Sequence, residues 1–395
     1  MTTLSGTELR EESDGRAAGG ESAYDATVVL IVGALMTFGA VMVYSASVTI
    51  RGAEFHIERW WATPLRQSVF ALAGLAAMLL TAFFNYRFFA WNPTWGGWAA
   101  RLPALAAAIL LLAAMVVPGA AASRLGSARS IVVFDGAFAL GFQPAELAKV
   151  ALVIWLASRL TRAGYDVRDL RRGFAPLVGL AGILIVLTGI SDFGTAVLMG
   201  AVLLALLVLA GARWAHIALL MLGGVVAGAL LILIEPYRMK RILTFFSETP
   251  DPTGAGYQIQ QAMIAIGSGG WWGRGLGAGL QKYGYLPQDN NDFILAIICE
   301  ELGVVGGAAV VALFLALLWR GWRLSATAGD SFGRLLAAGL TLSICLQAAF
   351  NVAVVTNSVP TKGISLPFVS AGGSGVLFLG AAAGLLASVG RFARR

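Results

Sequence analysis

The stretch NDFILAIICEELGVVGG, from Asn291 to Gly307, sets an aspartate at the mouth of an apolar run and two adjacent glutamates inside it. Ionisable groups within apolar spans are expensive and usually face a polar interior. Asp292 adjoins a long basic segment, so its carboxylate is placed to meet water, a substrate and several cations together. The competing role is a helix cap, beside Asn290 and Asn291. Glu300 lies deeper, about 12 Å along a helix. Glu300 and Glu301 diverge by about 100° around a helix axis, so separate partners and a structural role are expected for both.

Other stretches share this character. QPAELAKVAL places Glu146 and Lys149 at i and i+3, on one helix face, with Pro144 suited to the first turn. The pair is either a self-compensating ion pair or an anion-binding lysine that lines a cavity, held by its glutamate. GISDFGTAVL puts Asp192 and Thr195 at the junction of two apolar runs, where Asp192 is expected to cap the second. VPTKGISLPFVSAGGSG, residues 359–375, carries Lys362 as its only charge. Its prolines and glycines impose irregular backbone, tolerated at membrane depth where it lines a cavity. GSGGWWGRGLGAG tempts a nucleotide-loop interpretation, but it lacks the Gly-Lys-Ser/Thr ending and no strand precedes it. Its seven glycines with Trp271 and Trp272 fit a folded loop at the lipid interface.

The elements that position these residues follow from composition. Hydrophobic residues make up 58% of the 395 and charged residues 12%, about half the charge of a soluble chain. The chain is therefore expected to be an all-α polytopic membrane protein, one bundle of ten transmembrane helices. The spans fall at roughly 26–48, 67–84, 102–118, 144–160, 173–190, 193–211, 215–234, 292–319, 335–356 and 374–390. Residues 1–24 are polar and read as a short disordered cytoplasmic tail ahead of an uncleaved first span. If the N-terminus is inside, the inner segments beyond the N-terminal tail hold fourteen arginines, from Arg87 to Arg395, against six basic residues in the short outer loops. Both termini are then cytoplasmic. Residues 235–291, between the seventh and eighth spans, form a long extracytoplasmic loop of a length uncommon without function. Cys299 and Cys345 sit in apolar runs and imply no disulfide framework. The basic balance reflects the positive-inside bias, with no nucleic-acid surface needed to explain it.

PDPTGAGYQIQQAMIAIGSGGWWGRGLG, NDFILAIICEELG, QPAELAKVAL and PTKGISLPFVSAGGSG, taken in order over about residues 25–392, resemble signatures of the SEDS family (shape, elongation, division and sporulation). The PDP…G…GYQ segment and PTKG look more like its division branch than its elongation branch. The resemblance implies a peptidoglycan glycosyltransferase that polymerises lipid II outside the bacterial cytoplasmic membrane, at the division septum. It implies a class b penicillin-binding protein as partner, with other divisome membrane proteins. The family's essential aspartate matches Asp292, its Q-P-S/A-E-x-x-K matches Gln143, Pro144, Glu146 and Lys149, and its G-A-x-R-W loop matches GSARS, giving Arg129. Gln258, in the GYQ segment, and Lys362, in PTKG, complete the candidate substrate-binding set. The chain departs from the family at Asn290 and Asn291 for H-T, at Ser130 for the W of R-W, at ISDFGT for Q-P-D-L-G-T and at SAGGSG for S-Y-G-G-S-S.

The implied reaction joins the 4-hydroxyl of one lipid-linked disaccharide to the anomeric carbon bearing a lipid pyrophosphate, with inversion. Asp292 fits as base or orienting group. Arg129 and Lys149 fit the leaving pyrophosphate. A divalent cation, Mg or Mn, would add charge neutralisation, although the sequence shows no metal-ligand cluster. A lipid flippase is the rival class. The placement of Glu146, Lys149, Asp192 and Asp292 at outer ends favours an enzyme of the outer leaflet.

Overall fold

The computed structural model describes residues 24–47, 62–92, 97–116, 121–124, 127–134, 140–234, 236–246, 254–286, 291–361 and 363–392. Its helices are α1 Ala26–Ser47, α2 Ala62–Phe83, α3 Trp98–Val116, α4 Pro144–Leu160, α5 Ala175–Ser191, α6 Phe193–Leu209 and α7 Trp214–Ile234, then α8 Pro236–Phe246, α9 Ala255–Gly269, α10 Ile294–Thr327, α11 Ser331–Val355 and α12 Ser374–Arg391. Each apolar segment expected from the sequence falls on a helix. Seven helical stretches among the described residues are long and apolar enough to cross a membrane, and α6 and most of α3 are shorter apolar helices. The charged residues of α4 are Glu146, Lys149 and Arg159, in an otherwise largely apolar helix. The chain is a multi-pass membrane protein.

Three features differ from expectation. First, the chain is not all-α. Strands β1 Ala121–Arg124, β2 Ser127–Phe134 and β3 Leu140–Phe142 form an antiparallel sheet between α3 and α4. The β-branched run Ile131-Val132-Val133 favours strand, but in so apolar a chain it merges with the hydrophobic background. Second, the segment 235–291, expected as one long loop, holds two helices, α8 and α9. Third, α10 is broken. Gly303 takes φ 73° and ψ −177°, dividing the span expected at 292–319, and the helix runs on to Thr327.

The break follows a backbone exchange. In an unbroken helix the carbonyls of Glu300 and Glu301 would accept from the N–H groups of Val304 and Val305. Here Arg274 N donates to Glu300 O (3.0 Å) and Gly275 N to Glu301 O (2.9 Å), while Val304 N donates to Gly270 O (2.9 Å) and Val305 N to Trp271 O (3.3 Å). Two lost helical bonds are replaced by four bonds to the glycine-rich segment after α9. A Cβ on Gly303 would lie 2.2 Å from Trp271 O, and one on Gly273 2.2 Å from Glu301 O. Beside this exchange Trp271 and Trp272 are 72% and 82% exposed.

The two glutamates lock the same segment by their side chains. Glu300 accepts from Leu280 N (2.8 Å) and Gln281 N (3.2 Å), with Arg274 Nη1 at 3.6 Å. Glu301 accepts from Ser45 Oγ of α1 (2.7 Å) and pairs with Lys282 Nζ (2.8 Å). Lys282 is itself buried and also donates to Gly277 O (2.8 Å) and Ser45 O (3.2 Å). The structural role expected for Glu300 and Glu301 is what the geometry shows.

α4, the first turns of α10, and α11 and α12 pack in the interior of the bundle. α2 and α12 meet through small residues: a Cβ on Gly380 would lie 2.4 Å from Gly74 O, and Thr81 Oγ1 donates to Ala381 O (2.9 Å). Such close contact supplies dispersion energy where lipid leaves little hydrophobic drive. α7 stands apart, with only Ile217 buried. Near the C-terminal end of α10, Arg320 pairs with Asp25 (2.5 Å), and Asp330 caps α11 while accepting from Tyr86 Oη (2.6 Å) and Arg87 Nε (3.0 Å). Burial alone would raise the Asp330 carboxyl, but these hydrogen bonds outweigh it and hold it below the ordinary carboxylate value.

Two outcomes test the clasp. Gly303→Ala is expected to destabilise by about 2 kcal/mol or more, from the left-handed φ and the clash. Gly200→Ala, where a Cβ meets nothing within 4 Å, is expected to stabilise by about 0.5–1 kcal/mol; equal melting temperatures for the two variants would contradict the break. Glu301→Gln leaves Lys282 as a buried charge without its counterion and is expected to cost about 3–5 kcal/mol. Adding Lys282→Met is expected to recover part of that loss in a double-mutant cycle followed by thermal unfolding.

Candidate functional site

Residues 291–293 form a turn ahead of α10, and Phe293 occupies the cap position with no side-chain cap bond. Asp292 is therefore not the helix cap. Its main chain is held from two sides. Asn291 O accepts from Ser370 Oγ (2.6 Å), and Asp292 O accepts from Asn351 Nδ2 (2.8 Å). The residue is half-buried, at the head of the short helical piece that ends at the Gly303 break.

The last inter-helix segment forms the other wall. Ile364, Leu366, Phe368 and Val369 are buried, and Phe368 takes φ 64°. Ser370 Oγ accepts from Leu366 N (2.7 Å), and Asn351 Nδ2 also donates to Ile364 O (2.7 Å). A Cβ on Gly39 of α1 would lie 2.6 Å from Val369 Cα, so the segment is wedged among helices. α8 reaches it too, with Arg241 Nη1 donating to Thr361 O (3.1 Å).

α4 supplies the buried pair. Gln143 N donates to Ser374 Oγ (2.9 Å) and Pro144 opens the helix. Lys149 Nζ lies 2.8 Å from Glu146 Oε2, both side chains being buried. Nζ also donates to Gln347 Oε1, and Gln347 Nε2 donates to Ser365 O (3.0 Å). The self-compensating pair is thus present, with a third partner that ties it to the wall beside Asp292. Asp192 caps α6 as expected, accepting from Thr195 N (3.1 Å) and Thr195 Oγ1 (3.0 Å).

The remaining candidates are placed less closely. The register Ala122↔Ser130 and Ser123↔Ala128 makes Arg129 the extra residue of a bulge in β2. Gln258 is half-buried on the first turn of α9, which packs along α10. Lys362 lies outside the described residues. Gln347, Asn351, Ser370 and Arg241 were not singled out from sequence as site residues. The available signal was Gln347 and Asn351 at i and i+4 in an otherwise apolar helix, the pattern of polar groups facing a bundle interior. Among the described residues no group of three or more His, Cys, Asp or Glu side chains is placed to hold a metal ion. Glu146 is committed to Lys149 and Asp192 to Thr195, so these carboxylates do not form a ligand set with Asp292.

The FtsW/RodA/SpoVE family model, described as "Cell cycle protein", matches residues 25–395. The chain is 38% identical over 372 residues to stage V sporulation protein E of Bacillus subtilis, covering 94% of this chain and 98% of that one. It is 39% identical over 371 residues to the probable peptidoglycan glycosyltransferase FtsW of Geobacter metallireducens, covering 93% and 94%. Among solved structures, the rod shape determining protein RodA of Thermus thermophilus superposes with a TM-score of 0.64 at 25% identity, covering 94% of this chain and 98% of that one. A chain from a peptidoglycan synthase complex superposes with a TM-score of 0.72 at 24% identity, covering 93% and 98%. The long motifs, the matched span and the shared fold agree, and the chain belongs to the FtsW/RodA/SpoVE family of cell cycle proteins.

Proposed function

We propose that this protein is a peptidoglycan glycosyltransferase that polymerises lipid II during cell division. The observation that carries this is the similarity, 37–41% over at least 92% of the chain, to relatives named as probable peptidoglycan glycosyltransferases FtsW. The geometry supports it: a carboxylate stands at the head of a broken helix, beside a wedge of irregular backbone. Asp292 takes the proton from the acceptor 4-hydroxyl as that oxygen attacks the anomeric carbon of the donor. The glycosidic bond forms with inversion as the bond to the lipid pyrophosphate breaks. Arg129 offers the planar, permanently charged group that suits the departing pyrophosphate. Lys149, enclosed and paired with Glu146, acts at one remove by fixing the wall beside Asp292. Gln258 and Lys362 belong to the proposed substrate-binding set. A divalent cation, if present, comes with the substrate's pyrophosphate.

The same proposal sets the topology. Ten spans, α1–α7 and α10–α12, cross the cytoplasmic membrane with both termini inside, so α8, α9 and the glycine-rich segment stand outside. The partner is a class b penicillin-binding protein, in keeping with the peptidoglycan synthase complex among the structural neighbours. Other divisome membrane proteins complete the assembly at the septum.

Two measurements test these statements. Ser268→Cys, at an exposed position, should react with an impermeant thiol reagent on intact spheroplasts; labelling only after lysis would reverse the orientation. Asp292→Asn preserves size while removing the base. Purified with its partner and given labelled lipid II, it should fold normally and lose about 10²- to 10⁴-fold in polymerisation rate. A rate near wild type would remove Asp292 from the chemistry.

A further inference from the structure

Asn351 is fully buried in α11, and its carboxamide is used on one side only. Both Nδ2 hydrogens are engaged, one by Asp292 O at 2.8 Å and the other by Ile364 O at 2.7 Å. Its Oδ1 is buried with no hydrogen-bond partner. A buried orphan acceptor is costly, so a helix position that needed only volume would be better filled by leucine. What leucine cannot do is donate to two main-chain carbonyls from distant parts of the chain. One turn away on the same face, Gln347 makes the corresponding link between Lys149 and Ser365. α11 thus presents two amide rungs, each joining a charged site residue to the 364–370 segment.

We propose that Asn351 is a positioning residue for Asp292, an inference that rests on the reading of Asp292 as the base. The physical argument concerns freedom at the Asp292 backbone. The turn at 291–293 precedes a short helical piece cut off from the rest of α10 at Gly303. The clasp with residues 270–286 holds the far end of that piece. At the near end, Ser370 holds the carbonyl of Asn291 and Asn351 holds the carbonyl of Asp292. Of these two anchors, Asn351 is the one on the reacting residue. It fixes where the Asp292 side chain starts, relative to a wall that also carries the Lys149 link. Loss of such an anchor moves the carboxylate without changing its chemistry, and a misplacement of about 1 Å costs about 10²-fold in rate.

The experiment uses the full chain purified with its partner transpeptidase and labelled lipid II. Asn351→Leu removes both donors at similar volume, Asn351→His retains one N–H, and each is combined with Asp292→Asn. Melting temperature qualifies each variant as folded, and rates are taken per folded molecule across lipid II concentrations. Asn351→Leu is expected to lower kcat by about 10- to 100-fold with KM within about twofold of wild type, and Asn351→His is expected to lie between. Combined with Asp292→Asn, neither should slow the enzyme beyond Asp292→Asn alone, because residues acting through one group are not additive. The proposal is overturned if Asn351→Leu and Asn351→His retain wild-type kcat while Asp292→Asn is inactive. It is overturned equally if the loss appears in KM alone, or if the losses multiply in the double variants. An Asp292→Asn enzyme of near wild-type rate, seen without any Asn351 substitution, would instead sink the base assignment on which the proposal stands.

Discussion

A backbone carbonyl or N–H in a lipid-level interior must find a partner, and α10 meets that demand in an unusual way. At Gly303 the helix gives up two of its own bonds and takes four from residues 270–275. Everything near the site depends on this exchange. It ends the piece that carries Asp292, and it fastens the segment after α9 to the bundle. It also brings Glu300 and Glu301 to bear on the main chain of Leu280 and Gln281 and on Lys282. Isolated buried charges would be intolerable here. Glu301, Lys282 and Ser45 form a closed set, and each N–H or O–H in it meets an acceptor.

The bundle deals with its other buried charges in the same way. Lys149 is balanced by Glu146 and bridged to Gln347; Asp25 is balanced by Arg320 at the opposite end of α10. At Asp292 the main chain is anchored as well: its carbonyl accepts from Asn351 Nδ2, and that of Asn291 accepts from Ser370 Oγ. Anchoring a residue through its backbone fixes where its side chain starts, which is what preorganisation of the proposed base requires.

Much of this was legible in the residues. Long apolar runs located the helices, Pro144 and Asp192 marked helix starts, and the isolated carboxylates at 292, 300 and 301 announced that part of α10 faces something polar. Three things were hidden. The break at Gly303 is invisible because an apolar helix on either side of a glycine looks continuous. The sheet of β1, β2 and β3 is invisible because an apolar run can read as strand or helix alike. The amide rungs at Gln347 and Asn351 were visible as polar residues in α11, but the groups they donate to are main-chain carbonyls, which no side-chain pattern encodes.

The order of the exchanged segments along the chain matters for biosynthesis. Residues 270–275 are made before residues 300–305, because synthesis runs from the N-terminus. The donors and acceptors that will satisfy the break in α10 already exist when that helix leaves the ribosome. The helix therefore need not enter the bilayer intact and snap later. It can acquire its discontinuity as it docks, with the glycine-rich segment acting as an internal template. A chain rearranged so that α10 came first would have to shelter two carbonyls and two N–H groups through insertion with nothing yet made to receive them.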